Sequence, residues 1–137
     1  MVSAEIFLAA QLNTLHRMQY TLTLADSAAA SHRLKSDLLS QLSALDQLES
    51  QFQILSAQRG WEIQEMDPAD RWRISLRFHY RKDPKIAQYL ISMYTQDSIG
   101  LLKLYNRLES EDVTVRRYFQ KFMDHCTIGI RQMQPFL

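Results

Sequence analysis

The chain predicts an all-α fold, four amphipathic helices arranged as two helical hairpins with a long crossover between them. Three observations carry this. Leucines recur at three- and four-residue intervals through long stretches, which aligns them on one helix face. Only three glycines and three prolines occur in 137 residues, so the chain consists of few, long elements. A short polar connection in each half turns its second helix back against its first.

The first helix is expected over about 3–28. Ser3 is its cap candidate, and Leu8, Leu12, Leu15, Gln19 and Leu22 share one face. The string DSAAAS follows, with Ser27 or Ser31 able to cap the second helix over about 32–59. That helix carries the stripe Leu34, Leu38, Leu42, Leu45, Leu48, Phe52 and Leu55. Its end is written in QRGW. Gly60 stands where a left-handed residue stops a helix without Cβ strain, and Arg59 suits the negative end of the dipole. Trp61 is placed to fold back onto the last turn.

The crossover, 60–83, carries two opposed signals. DPAD resembles a helix start, with Asp67 as cap, Pro68 in the first position and Asp70 in the first turn. WRISLRFHYR alternates strictly, with Trp72, Ile74, Leu76, Phe78 and Tyr80 on one side, which is a strand period. WEIQEM alternates in part, so a hairpin through DPAD is one reading. A helix, the other reading, pairs Trp72 with Leu76 and Tyr80. The alternation favours an extended or mixed crossover containing β structure.

A third helix is expected over about 84–108, with Ile86, Leu90, Met93, Leu101, Leu104 and Leu108 on one side. ESED breaks it and offers Ser110 or Asp112 as the next cap. The fourth helix, about 113–132, buries Val115, Phe119, Phe122, Cys126 and Met133. Gly100 and Gly129 lie inside helices, where close helix approach is the expected reason for them. Shifting one half onto the other by about 81 positions superposes Leu34 on Val115 and Leu38 on Phe119, a topological repeat with few identities. Residues 1–137 thus form one domain, an up-down bundle of two hairpins with the connectivity of ferritin-like proteins.

Composition narrows the function. Sixteen basic against fifteen acidic side chains make nucleic acid or an anionic membrane an improbable partner on charge alone. One cysteine, Cys126, cannot form an internal disulfide, which favours a reducing compartment. Glu5, Gln11 and Asn13 interrupt the N-terminal apolar residues, so no signal peptide is expected. No segment approaches the roughly 20 apolar residues that span a bilayer.

Two segments resemble the spore coat protein F-like family. In SHRLKSDLLSQLSALDQLESQFQILSAQRGW the matching positions are Leu34, Lys35, Leu42 and the stop Arg59-Gly60-Trp61. In YNRLESEDVTVRRYFQKFM they are Tyr105, Asn106, Val115, Arg116 and Phe119. His32 and Val113 stand where the family usually carries proline. The resemblance implies a ferritin-like bundle with a packing role in or around the spore coat, no cofactor and no established enzymatic activity. The expected location is the cytoplasm or the spore coat, and the expected partners are other proteins, including further copies of the chain. Tyr89, Tyr94 and Tyr105 are the residues expected on an exposed, self-associating face.

A ferritin-like fold raises the question of a metal pair, which takes Glu from two helices and Glu-x-x-His from the other two. No Glu-x-x-His occurs. His16 and Asp97 occupy equivalent places in the two halves, with Asp46 and Glu49 on the second helix and Asp124 and His125 on the fourth. Asp124 and His125 point about 100° apart and cannot share one ion. His16, Asp97, Glu49 and His125 are therefore only weak metal candidates, and the alternative is that they, with Gln19, are polar groups satisfied by one another or by water. Cys126 lies on the apolar stripe, where a cysteine packs more often than it attacks. The three glycines are too scattered for a phosphate loop. In the crossover Arg71, Arg73, Arg77, Arg81, Lys82 and Lys85 interleave with aromatics, the pattern of a basic interaction surface. Alternation assigns the aromatics to the bundle and the arginines to solvent or to Glu62 and Glu65. A non-catalytic structural or interaction protein is the expectation, a metal-binding bundle the alternative, and a basic surface-binding module the third.

Overall fold

The computed structural model describes residues 1–62, 68–77, 82–109 and 112–137. Among them are five α-helices: α1 Ala4–Ala28, α2 His32–Arg59, α3 Pro68–Arg77, α4 Asp83–Tyr105 and α5 Val113–Met133. A 3-10 turn, Gln134–Phe136, closes the chain.

Local chemistry sets most of the helix ends. Ser3 and Ser31 accept from the backbone N–H groups of Ile6 and Leu34, and Asp112 accepts from those of Thr114 and Val115. Each side chain thereby satisfies amides that lack a partner in the first helical turn. At the end of α2 Gly60 adopts φ 69°, and the Trp61 amide donates back to the Ser56 carbonyl at 2.9 Å. This is the stop read from QRGW. The Trp61 ring is half-buried against the core, and the Arg59 guanidinium lies 5.8 Å from its centroid.

The four long helices touch in the cyclic order α1, α2, α5, α4. Three clamps fix their directions. The Asp83 carboxylate, in the first turn of α4, accepts from the amides of Ala30 (2.8 Å) and Ser31 (3.0 Å), which joins the start of α4 to the α1–α2 turn. At the other end Val2 exchanges backbone hydrogen bonds with Arg107 and Glu109, tying the start of α1 to the end of α4. There too Arg59 pairs with Asp112, so α2 ends where α5 begins. Neighbouring helices are consequently antiparallel, and the crossover travels the length of the bundle.

One hydrophobic cluster fills the interior, drawn chiefly from α1, α2, α4 and α5. Leu8, Leu12, Leu15 and Leu22 of α1 face Leu34, Leu38, Leu45, Phe52 and Leu55 of α2, all buried. Burying a side chain of this size contributes about 1.5–3 kcal/mol. Phe119 joins two rings, stacking on Tyr105 at 4.3 Å and meeting Phe7 edge-on at 5.4 Å. These aromatic contacts seal the α1, α4 and α5 junction.

Five expectations are corrected. The crossover is helical, not extended, over Pro68–Arg77, and the described residues hold no strand beyond the isolated Val2–Leu108 bridge. A lone strand there has no described ladder partner, whereas a helix satisfies its backbone internally. Trp72 does not cover the bundle; it is 66% exposed, while Ile74 of α3 packs on the core. Tyr94 is not on an exposed face but fully buried, while Tyr89 and Tyr105 are half-buried against the core. Gly100 is exposed with open space around it, so close approach explains only Gly129. The third long helix also stops at Tyr105, because Leu108 is drawn into the bridge with Val2. The crossover readings at Asp67, Phe78, Tyr80 and Arg81, and the cap reading at Ser110, fall outside the described residues.

Candidate functional site

Two polar constellations stand out, one at the buried centre and one on the partly exposed α1–α2 seam. At the centre α4 contributes Tyr94, which is fully buried and follows Ile86 and Leu90 at four-residue steps along the apolar face. Its hydroxyl donates to Oε1 of Gln41 at 2.7 Å, and the Gln41 amide donates to Oε1 of Gln132 at 3.0 Å. Nε2 of His125 lies 3.3 Å from the same hydroxyl. With the phenol proton committed to Gln41, the consistent arrangement is a neutral imidazole donating from Nε2. The result is a directed chain, His125 to Tyr94 to Gln41 to Gln132, that ties α5, α4 and α2 together.

The electrostatics keep this chain uncharged. Burial lowers His125 to about 4, so the imidazole is neutral at physiological pH. Burial raises the Tyr94 phenol well above its usual value, with a further push from the Cys126 position. Cys126 is itself raised to about 12, first by burial, with Ser98 opposing and Asp97 adding to the rise. A thiol that holds its proton to such pH is a weak nucleophile. Burial also raises Asp97, against the attraction of Arg17. Gly129 completes the centre. A Cβ there would lie 2.5 Å from Cε2 of Tyr94, so the absence of a side chain is what admits the ring.

At the α1–α2 seam His16 and Gln19 face Asp46 and Glu49. Nε2 of His16 stands 3.5 Å from Glu49, and the Gln19 amide donates to Asp46 (2.9 Å) and to Glu49. Of the four metal candidates only His16 and Glu49 therefore meet. Asp97 lies on α4 with Arg17 as its charge partner, and His125 is engaged with Tyr94. Among the described residues no three His, Cys, Asp or Glu side chains group closely enough to hold an ion.

The crossover cations divide. Arg71 and Arg73 are exposed on α3, flanking the exposed Trp72, and Lys82 is exposed before α4. Arg73 forms a loose ion pair with Asp70 at 3.8 Å. Arg77 closes α3, and Arg81 lies outside the described residues. No described helix is long and apolar enough to cross a membrane.

Sequence reasoning missed Gln41, Tyr94 and Gln132 as interior polar residues. For Gln41 a signal existed: it lies three residues after Leu38 and four before Leu45, on the buried stripe itself. A glutamine in that register is either paired or costly.

The fold and this interior define an all-helical bundle with a neutral hydrogen-bonded centre. No family of known proteins matches the chain, and no curated protein or solved structure does either.

Proposed function

We propose that the chain is a non-catalytic bundle of ferritin-like connectivity that serves as a structural or protein-interaction module of the spore-coat kind. One observation carries this reading. Where a metal-binding bundle converges carboxylates and histidines on one point, this interior places the amide, phenol and imidazole chain of Gln41, Gln132, Tyr94 and His125. Such groups, satisfied by one another, fix helix register without supplying charge for metal ligation or acid–base work. The cyclic order of the four long helices and the crossover running the length of the bundle support ferritin-like connectivity. The resemblance of the helix stops and second-half motif to the spore coat protein F-like family supports a role in the cytoplasm or the coat, with partners that include other proteins and further copies of this chain.

Metal analysis of protein isolated without chelators, then challenged with ferrous iron, tests the reading. Well below one tightly held ion per chain is expected. Two irons or manganeses per chain would instead establish the metal-binding alternative.

A second reading has an observation in its favour. On helical α3 the exposed Trp72 is flanked by exposed Arg71 and Arg73, so cations and an aromatic ring reach the same solvent. That combination suits a basic surface-binding module. Salt-sensitive quenching of Trp72 fluorescence by single-stranded oligonucleotide would favour it; unchanged fluorescence returns the surface to the protein-interaction reading.

A further inference from the structure

We propose that the cavity between α1, α3 and α4 is a binding site for a small organic phosphate bearing hydroxyl groups. Its volume is about 540 Å³, within the range of small-molecule sites. Three helices each bring a cation to its walls: Arg17 from α1, Arg73 from α3 and Lys85 from α4. Two carboxylates, Asp70 and Asp97, line it as well, which leaves one positive charge in excess when all five are ionised.

A seam that merely docked α3 onto the bundle would be closed and apolar. Here Ile74 packs on the core while Trp72 points to water, and the space between the helices stays open and mostly polar. The Arg17 guanidinium is also under-engaged: its only described side-chain hydrogen bond is a long one, 3.4 Å to Thr14, which leaves donors over on a residue that lines the cavity.

The arrangement separates two recognition tasks. Arg73 and Lys85 are exposed side chains on facing helices and hold the anion. Asp97 and the serine and glutamine side chains of α4 line the remaining wall and accept from or donate to hydroxyl groups. A phosphate suits the first set, since charge-assisted bonds from guanidinium and ammonium are the strong ones. The inference stands apart from the proposed function, because the cavity lies outside the hydrogen-bonded centre and metal content does not bear on it.

Calorimetric titration of the full chain with glucose 6-phosphate, glycerol 3-phosphate, inorganic phosphate and glucose tests it. Saturable binding of a sugar or glycerol phosphate is expected, tighter than that of inorganic phosphate or glucose. Arg73→Met and Lys85→Met should each weaken it about tenfold. Both side chains are exposed, so neither change opens the core. Arg71→Met, on the same helix but not lining the cavity, should leave the affinity unchanged. Absence of saturation with both organic phosphates overturns the proposal. So does inorganic phosphate binding as tightly as they do, or an equal loss in Arg71→Met, which would reveal only diffuse surface charge.

Discussion

Gly129→Ala should destabilise the protein by about 2–4 kcal/mol, although alanine is the better helix former by about 1 kcal/mol. The new Cβ would stand 2.5 Å from Cε2 and 2.7 Å from Cζ of Tyr94. The ring has nowhere to go, because it is fully buried and its hydroxyl is held by Gln41 and His125. Overpacking a tight interior costs about 1–3 kcal/mol. Shifting the phenol away from its partners adds about 1–3 kcal/mol for buried polar groups left unmade. In a chain of this size the melting temperature should fall by roughly 10 °C. Gly100→Ala is the internal control. It faces open space, so it should be neutral or stabilise by up to about 1 kcal/mol. Denaturant midpoints of the two variants decide the matter. A Gly129→Ala protein as stable as the parent would mean that Tyr94 does not lie against this turn of α5.

The contrast between these two glycines shows what the chain discloses before it folds. Both occupy helix interiors, and nothing local distinguishes them; only the ring that α4 presents to α5 does. Helix ends are different, because a cap is a contract between residues two or three apart. Ser3 could be recognised as a cap and Gly60 as a stop from neighbours alone, and the structure chooses Ser31 over Ser27 and uses Asp112, each one of two candidates the sequence offered. The apolar stripes of α1, α2 and α5 were legible for the same reason. Helical spacing makes their leucines and phenylalanines one face wherever that face is later buried.

Residues 68–77 were misread because ten residues can satisfy two periods. Alternation from Trp72 to Tyr80 suggests a strand, but a strand requires a partner that sequence cannot name. The helix start at Pro68 and Asp70 was the better guide, being local. Long-range pairing also explains the interior. Tyr94 and Gln41 are 53 residues apart, and Gln41 and Gln132 are 91 apart. Sequence offers each of these as a polar residue near a stripe and says nothing of the others. Of the metal candidates, His16 and Glu49 meet because α1 and α2 form a hairpin, whose register follows from its short turn. Asp97 and His125 required the placement of α4 against α5, which rests on contacts between residues far apart in sequence.

Acidification should expose the cost of the buried imidazole. Burial places His125 at about 4, against an ordinary value of 6.5. Between those limits the unfolded chain holds a proton that the native state refuses, so stability rises with pH across the window. The contribution is present in full above about pH 6.5 and is lost as pH falls towards 4. By linkage the total is about 3 kcal/mol. Asp97 works in the opposite sense. Burial raises it despite Arg17, so the native state takes up its proton more readily and regains a little stability on acidification. The clamps Asp83 and Asp112 act lower. The Ala30 and Ser31 amides hold Asp83 below its ordinary 3.8, and at Asp112 the pull of Arg59 and two backbone amides outweighs burial. Their share is lost only as pH falls through those lowered values, beneath the histidine window. Unfolding by denaturant at pH 7.5 and 4.5 should therefore differ by about 2–3 kcal/mol in the parent protein. His125→Gln, which keeps a donor for Tyr94 but cannot titrate, should flatten most of that difference. Imidazole resonances of the native protein should report a neutral ring at pH 5. If His125→Gln keeps the full acid loss while that ring is protonated at pH 5 in the parent, the imidazole is not enclosed, and the hydrogen-bonded centre proposed to replace a metal site is open to water.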